Sequence, residues 1–162
     1  MPTANKIYST VTDFQPTMQL WKSEGKKVVF TNGCFDIVHL GHLDYLEKAR
    51  ALGQKLVVGL NTDASITRLK GETRPIIPEV ARARMLAALE FVDAVVLFAD
   101  DTPLTLIQTL LPDMLTKGND YSVDNIVGAK EVIANGGSVE TIELVDGYST
   151  SNIIQKILTV HQ

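Results

Sequence analysis

The sequence is poor in the features that mark secreted, membrane-spanning and nucleic-acid-binding proteins. It has one cysteine, Cys34, which excludes an internal disulfide and favours a reducing compartment. No apolar run approaches the length of a membrane span, and the first eight residues lack the hydrophobic core of a signal peptide. The net charge of -4 provides no basic surface for nucleic acid. We therefore expect a soluble cytoplasmic protein that binds neither nucleic acid nor membrane.

Two common nucleotide-binding motifs are also missing. The chain has no G-x-x-x-x-G-K-[ST] sequence, which argues against a P-loop kinase or NTPase. No G-x-G-x-x-G follows the first predicted strand, which argues against a dinucleotide-dependent oxidoreductase. Any phosphate chemistry in this protein therefore needs a different kind of site.

The composition that remains is that of one globular domain. Apolar residues make up 45% and charged residues 21% of 162 residues, which is enough for one well-buried core. We expect residues 1–26 to form an N-terminal extension, loosely ordered over 1–11, with a short helix over 13–23 that Asp13 caps. Residues 27–162 are expected to form the main domain.

Strands and helices alternate through this main domain. Short apolar runs predict strands at 27–32, 55–61, 94–98, 114–117 and 139–144. Helices are predicted at 39–52, 79–91, 103–111, 127–135 and 151–160. The alternation predicts an α/β fold with a doubly wound, parallel, five-stranded sheet. In such sheets ligands bind at the carboxyl ends of the strands.

Residues 31–42, Thr-Asn-Gly-Cys-Phe-Asp-Ile-Val-His-Leu-Gly-His, join the first of these strands to the next helix. His39 and His42 therefore lie near a helix N-terminus, where backbone N–H groups and the helix dipole favour anions. Gly41 between them would let a ligand approach the backbone. We interpret the pair as phosphate-binding rather than as two surface histidines. A zinc site made by Cys34, Asp36 and the two histidines is a weaker alternative. Zinc sites commonly contain pairs of cysteines, and this chain has only one cysteine.

Three further segments carry candidate ligand groups. The segment 69–78, which contains Lys70 and Arg74, is broken by Gly71, Pro75 and Pro78 and is a candidate lid. Lys117 and Asp120 follow a predicted strand, although an ordinary Gly-Asn-Asp turn fits the same residues equally well. Residues 149–151, Ser-Thr-Ser, precede the last helix and can cap it or bind phosphate.

The sequence leaves the roles of two groups of residues open. Arg82 and Arg84 lie two positions apart on one helix, so at most one of them points into a site. Large apolar residues outside the motifs either mark a dimer surface or belong to the core. They are Trp21, Phe91 and Leu97.

These motifs resemble a known family. The sequence Gly33-Cys34-Phe35-Asp36 followed by His39-x-Gly41-His42 is similar to the signature of the cytidylyltransferase-like nucleotidyltransferases, which are Rossmann-like proteins. Similarity extends over most of residues 26–160 and includes the segments 61–63, 69–75, 117–121 and 149–154. The fuller pattern resembles one branch, the D-glycero-β-D-manno-heptose 1-phosphate adenylyltransferases, which make ADP-heptose for the lipopolysaccharide inner core.

The resemblance implies roles for individual residues. His39, His42 and Lys70 are the implied catalytic residues, which contact the triphosphate and stabilise the transition state. The residues implied in nucleotide binding are Asn32, Gly33, Cys34, Phe35, Gly41, Asn61, Lys117, Gly147, Ser149, Thr150 and Ser151. Those implied on the sugar phosphate side are Asp36, Arg74, Arg82 and Asp120. No residue is assigned to a resident metal, and Mg²⁺ is implied only as the partner of ATP.

The expected reaction follows from the same resemblance. ATP and the sugar 1-phosphate would give ADP-heptose and pyrophosphate. The expected partners are these two small molecules, a separate heptose kinase as pathway neighbour and a second copy of the chain in a homodimer. Two alternatives are a cytidylyltransferase of a polyol or amino-alcohol phosphate and a nucleotide-binding regulatory module without turnover.

Overall fold

Six parallel strands form one twisted sheet in the computed structural model, which describes residues 2–161. The strands are β1 (Ile7–Tyr8), β2 (Val28–Gly33), β3 (Lys55–Asn61), β4 (Ala94–Phe98), β5 (Met114–Gly118) and β6 (Ser138–Ile142). The helices are α1 (Val11–Ser23), α2 (Leu40–Ala51), α3 (Asp63–Lys70), α4 (Glu79–Ala88), α5 (Leu104–Leu110), α6 (Ala129–Ala134) and α7 (Thr150–Val160). The strand order is β1-β4-β3-β2-β5-β6. The Rossmann-like doubly wound α/β fold expected from the alternation is therefore confirmed.

The strand count differs from the prediction of five. All five predicted strands are present, with ends displaced by at most two residues, and β1 is the sixth. Ile7 pairs with Val95 and Tyr8 with Val96 at the edge of the sheet. Residues 7–8, part of a segment expected to be loosely ordered, are thus held by β4, a partner almost ninety residues away that local sequence does not reveal.

The N-terminal segment packs on the same core as the rest of the chain. Phe14 and Met18 of α1 are buried against the sheet, so the boundary expected at residue 26 does not separate two cores. Thr10, rather than Asp13, caps α1, since its side chain accepts a hydrogen bond from the Asp13 N–H at 3.2 Å. Trp21, Phe91 and Leu97 are partly buried and pack against the core.

One helix was absent from the prediction. Residues 63–70 form α3, which Thr62 caps by accepting a hydrogen bond from the Ser65 N–H at 3.3 Å. Ile66 is fully buried and anchors this helix to the core. Lys70 is consequently the last residue of a helix, and the segment without regular structure begins at Gly71.

Apolar side chains cover both faces of the sheet. Residues 56–58 and 60 of β3 have no exposed surface, which explains their continuous apolar run. One cluster lies under α1 and α5, and the other lies under α2 and α4. Among the helices within residues 2–161, none combines the length and the apolar character that crossing a membrane requires.

The strand order places a crevice at the centre of the sheet. The chain leaves β2 and forms β3 on one side, and it later forms β5 on the other side. This reversal is a topological switch point, where the loops following neighbouring strands diverge and leave space for a ligand.

Candidate active site

A cavity of about 420 Å³ occupies this crevice at the carboxyl ends of the strands. Predicted site residues that line it are Asn32, Gly33, Cys34, Phe35, Asp36, His42, Asn61, Lys70, Arg74, Lys117, Asp120 and Thr150. A second cavity of about 380 Å³ adjoins it. The predicted residues on its wall are His39, Gly41, His42, Lys70, Arg74, Asp120, Ser149, Thr150 and Ser151. Two predicted residues, Arg82 and Gly147, lie on neither wall.

The two histidines stack against each other at the start of α2. Their ring centroids are 3.8 Å apart and the ring planes differ by 21°. His39 is the N-cap with extended backbone, and its carbonyl accepts the His42 N–H at 2.9 Å. The ring nitrogens Nδ1 of both residues are buried and have no hydrogen-bond partner among the described residues. The two stacked rings therefore lie together on the wall of the second cavity.

Burial favours the neutral form of both imidazoles. Burial, with the adjacent His39 and Lys70 charges, lowers the pKa of His42 from 6.5 to about 4. Burial also lowers the pKa of His39. Neutral imidazole is a hydrogen-bond donor through one nitrogen and an acceptor through the other. The site thus offers N–H donors to an anion.

The absence of a side chain at Gly41 makes room for the His39 ring and for Tyr148. A Cβ at this position would lie 3.1 Å from the His39 ring and 3.1 Å from the Cβ of Tyr148. The His39 and Tyr148 rings are also roughly parallel, with centroids 6.4 Å apart. The missing side chain therefore lets His39 fold back over the helix start, between His42 and Tyr148.

The loop between β2 and α2 is strained. Phe35 and Ile37 have positive φ values of 45° and 58°, a conformation that costs about 1–2 kcal/mol for residues with a Cβ. For the β-branched Ile37 this is an unusual state. Such strain persists only where contacts with the surrounding structure hold the backbone in that conformation.

Asp36 supplies those contacts from inside the loop. Its carboxylate accepts the N–H groups of Ile76 and Ile77, each at 2.8 Å, and the Arg74 Nε at 2.7 Å. Burial would raise the pKa of Asp36, but these hydrogen bonds and the Arg74 charge outweigh it and lower the pKa. The Asp36 side chain is only 1% exposed. Asp36 and Arg74 therefore bind each other at the cavity wall, which limits their freedom to bind a sugar phosphate.

Arg82 is fully buried behind the cavity. Its guanidinium donates to the Ile77 carbonyl at 2.9 Å, the Cys34 carbonyl at 2.6 Å and the Asp63 carboxylate at 2.8 Å. These three bonds join the motif loop, the segment 71–78 and the start of α3. Arg84 is exposed, which agrees with the expectation that the two arginines face opposite ways. Arg82 therefore links these three segments from behind and does not line the cavity.

Lys117 enters the cavity from the end of β5. Its Nζ donates to the Asn32 carbonyl at 3.1 Å and lies 5.7 Å from the centre of the Tyr121 ring. Burial lowers the pKa of Lys117 to about 8, although Cys34 and Asp120 act in the opposite direction. The Asn61 side chain lies nearby and donates to the Ser65 hydroxyl at 2.9 Å. Lys117 is therefore a largely protonated cation at neutral pH in a sheltered position.

The start of α7 closes the other side of the site. Ser149 caps the helix and accepts the Asn152 N–H at 3.0 Å. Thr150 donates its hydroxyl hydrogen to the Asp36 carbonyl at 2.6 Å. Two of the three hydroxyl groups thus have structural partners, and Ser151 lines the second cavity. Gly147, with φ of 83°, forms the turn that precedes them.

Sequence reasoning missed several residues of the site. Tyr45 lines the main cavity and donates a hydrogen bond to the Thr116 hydroxyl at 3.3 Å. It shares a second hydrogen bond with the Thr31 hydroxyl at 2.8 Å, and burial raises its pKa. Tyr121, Leu144 and Tyr148 line the cavities. Tyr148 directly precedes the Ser-Thr-Ser run of residues 149–151, and this position could have marked it as a site residue. Nothing local distinguishes Leu144 from a core residue.

The zinc alternative gains no support from the arrangement of these side chains. The Asp36 carboxylate already binds Arg74 and the backbone N–H groups of Ile76 and Ile77. Within residues 2–161, no three His, Cys, Asp or Glu side chains are grouped so that they could hold a metal ion. A divalent ion would therefore need other ligands, such as phosphate oxygens.

Comparisons with known proteins match most of the chain. A family model described as cytidylyltransferase-like matches residues 30–156. The bifunctional protein HldE of Citrifermentans bemidjiense is 64% identical over 137 residues, which cover 85% of this chain and 28% of that protein. The protein of the same name from Geobacter sulfurreducens is 58% identical over 140 residues, or 86% of this chain and 29% of that protein. The chain spans less than a third of the length of these curated relatives.

A solved structure shares the fold and part of the sequence. The lipopolysaccharide core biosynthesis protein from Thermoplasma volcanium GSS1 is 30% identical, with a TM-score of 0.60. The match covers 77% of this chain and 100% of that chain.

Proposed function

The chain belongs to the cytidylyltransferase-like nucleotidyltransferases, and on that premise we propose that it transfers AMP from ATP to D-glycero-β-D-manno-heptose 1-phosphate. The products are ADP-heptose and pyrophosphate, and the role is in lipopolysaccharide core biosynthesis. The observation that carries the proposal is the stacked His39–His42 pair, which shares a cavity wall with Lys70 and the start of α7. The substrate assignment draws on the sequence resemblance and on the names of the similar proteins.

In the proposed reaction, one oxygen of the sugar phosphate attacks the α-phosphorus of ATP. The bond from this oxygen to the α-phosphorus forms while the bond between the α-phosphorus and the bridging oxygen of pyrophosphate breaks. In this reaction the sugar phosphate oxygen attacks the α-phosphorus directly, so no covalent enzyme intermediate is needed. Catalysis then depends on alignment and on stabilising charge, as is general for transfers at phosphorus.

The protein groups divide between the two ends of this reaction. His39, His42 and Lys70 line the cavity next to the N-terminus of α7, a suitable place for the leaving pyrophosphate. Lys117 lines the main cavity away from the second one and suits the phosphate of the acceptor. The neutral N–H groups of the imidazoles would donate to phosphate oxygens without a net charge that must first be desolvated.

Mg²⁺ would arrive with ATP. The main cavity has the carboxylate of Asp120 on its wall, and it holds no acidic cluster among the described residues. This donor set fits an ion held mainly by triphosphate oxygens, which is a common mode for Mg²⁺. Such an ion neutralises charge on the phosphates.

The proposal extends to the partners of the protein. ATP and the sugar phosphate are the substrates, and a heptose kinase is the proposed pathway neighbour. A homodimer stays a prediction. We propose no nucleic-acid or membrane partner.

The decisive experiment measures pyrophosphate release with a panel of substrates. ATP and CTP are each combined with heptose 1-phosphate, hexose 1-phosphates, glycerol 3-phosphate and choline phosphate. We expect the highest kcat/KM for ATP with the heptose 1-phosphate. Preference for CTP with a polyol or amino-alcohol phosphate would support the cytidylyltransferase alternative instead. Binding of ATP without pyrophosphate release for any acceptor would support a regulatory module.

A further inference from the structure

A third cavity, of about 170 Å³, continues the main cavity on the side away from the histidines. It shares Asn32, Lys117 and Tyr121 with the main cavity, so the two spaces meet at these residues. It shares no lining residue with the cavity that contains His39 and Ser149. The site is therefore a row of three spaces, with the main cavity in the middle.

The volume of the third cavity suits part of a ligand. It corresponds to about five or six water molecules at about 30 Å³ each. Complete small-molecule sites usually measure about 300–1,000 Å³. The space is thus a subsite for one end of a substrate whose other end lies in the main cavity.

Polar groups on its wall match hydroxyl groups. Thr102 and Asp101 come from the loop after β4, and Asn125 comes from the loop after β5. One oxygen of Asp101 accepts the Arg68 Nε at 2.9 Å, and the Asn125 amide donates to the Ser122 hydroxyl at 2.8 Å. The groups left for a ligand are the Thr102 hydroxyl, the Asn125 side-chain oxygen and the second Asp101 oxygen. The Asn32 side-chain oxygen lies at the junction and is buried without a hydrogen-bond partner among the described residues. A buried acceptor of this kind favours a ligand that brings an O–H or N–H donor, because an unpaired polar atom is costly.

Reaction geometry decides which substrate reaches this space. Attack in line with the departing pyrophosphate requires the acceptor and the pyrophosphate on opposite sides of the α-phosphorus. The histidines, Lys70 and the α7 start lie toward one end of the row, and Lys117 lies toward the other. An acceptor phosphate next to Lys117 leaves its organic part pointing into the third cavity.

From these observations we propose that the third cavity binds the hydroxyl groups of the acceptor sugar, through Asn32, Asp101, Thr102 and Asn125. This inference rests on the proposed nucleotidyl transfer to a sugar phosphate. It adds residues that determine which acceptor is used. It also separates acceptor specificity, which depends on the loops after β4 and β5, from triphosphate binding at the starts of α2 and α7.

The test uses Thr102→Ala, Asn125→Ala and the double variant. Both side chains are exposed, so the fold should survive. Matched controls are Thr109→Ala and Asn135→Ala, which are exposed and line neither the main nor the third cavity. Initial rates are measured with varied sugar 1-phosphate at saturating ATP, and with varied ATP at saturating sugar phosphate. A second series uses deoxy analogues of the sugar phosphate.

We expect the double variant to raise the KM for the sugar phosphate about tenfold or more, since each hydrogen bond is worth about 0.5–1.5 kcal/mol. The KM for ATP and kcat should stay within about twofold of the controls, because truncation removes binding that is equal in ground and transition states. The preference of the wild type for the hydroxylated sugar over at least one deoxy analogue should shrink in the variant that lost the matching contact.

Two results would overturn the inference while the proposed function stands. One is a double variant whose KM for the sugar phosphate equals that of the controls. The other is an increase in the KM for ATP alone, which would assign the cavity to the nucleoside. Absence of turnover in the wild type would instead reject the proposed function. In that case, calorimetric titration measures the affinity of the wild type and of the double variant for the sugar 1-phosphate. Equal affinities would reject the inference about the third cavity.

Discussion

At the scale of single residues, the most informative feature is a pair of histidines that burial keeps neutral. A protonated pair with ring centroids 3.8 Å apart would repel itself, and the pKa of His42 at about 4 reflects mainly its burial. Neutral N–H donors in a sheltered site stabilise developing negative charge without first losing a large hydration shell. In the proposed reaction these N–H groups would bind phosphate oxygens without a net charge on the imidazoles.

His42→Ala should lower kcat by about two orders of magnitude or more, because it removes a donor that acts on the transition state. His161→Ala is the matched control, since His161 is exposed just after α7. Steady-state kinetics and circular dichroism on both variants test this expectation. Near-normal turnover of His42→Ala with an intact fold would contradict the role assigned to this residue.

Lys117 should set an alkaline limit on activity. The cation is lost as the pH rises through its pKa of about 8, so kcat/KM for the sugar phosphate should fall above that pH. Lys117→Arg should shift the fall to a higher pH, because an arginine stays charged. Profiles of kcat/KM between pH 6 and 10 measure the effect. An unchanged alkaline limit in Lys117→Arg would show that another group titrates.

At the scale of structural elements, Asp36 joins three segments that meet at the site. Its side chain binds residues 74, 76 and 77, and its carbonyl accepts the Thr150 hydroxyl at the start of α7. Arg82 fastens the same loop from behind through the Cys34 carbonyl. These bonds explain how the strained conformation of Phe35 and Ile37 is maintained. They also tie residues 71–78, the larger part of the segment 69–78 that was expected to act as a lid, directly to the motif loop.

Asp36→Ala should destabilise the protein by about 3 kcal/mol, since removing one member of a buried ion pair leaves the partner groups unsatisfied. Activity should fall as well, because Lys70 directly precedes the segment that Asp36 holds. Denaturant unfolding and kinetics are compared with Glu90→Gln, an exposed carboxylate with an expected change below about 0.5 kcal/mol. A stability equal to that of the control would refute the proposed anchoring.

At the scale of the whole molecule, the site makes folding sensitive to acid. In the unfolded chain His42 binds a proton near pH 6.5, whereas in the folded protein it does so near pH 4. The unfolded state therefore binds more protons in this window, and stability falls as the pH is lowered through it. His39 acts in the same direction. The lowered pKa of Asp36 adds a further loss below its ordinary value of 3.8.

The free energy of unfolding should accordingly decrease by up to about 3 kcal/mol between pH 7 and pH 4 through His42. His42→Gln should reduce this dependence, because glutamine does not titrate. Urea unfolding at several pH values measures both curves. If the two proteins lose stability in parallel, the acid sensitivity has another origin.

The extent to which sequence predicted this structure varies with the distance between interacting residues. β3 and β4 matched their predicted bounds because a strand buried on both faces leaves a continuous apolar run in the sequence. β1 was missed, since its two residues are held by pairing with β4 at the edge of the sheet. α3 was missed although Thr62 and Asp63 are a usual helix start, because the Gly and Pro residues that follow dominated the interpretation.

The sequence by itself determined the α/β alternation and the family, because each depends on neighbours along the chain. The tertiary structure alone decided that Asp36 and Arg74 bind each other, that Arg82 is a buried brace and that Gly41 makes room for the His39 ring. It also brought Asn32, Thr102 and Asn125 to one cavity. These facts depend on contacts between residues far apart in sequence, and such contacts exist only once the sheet has formed.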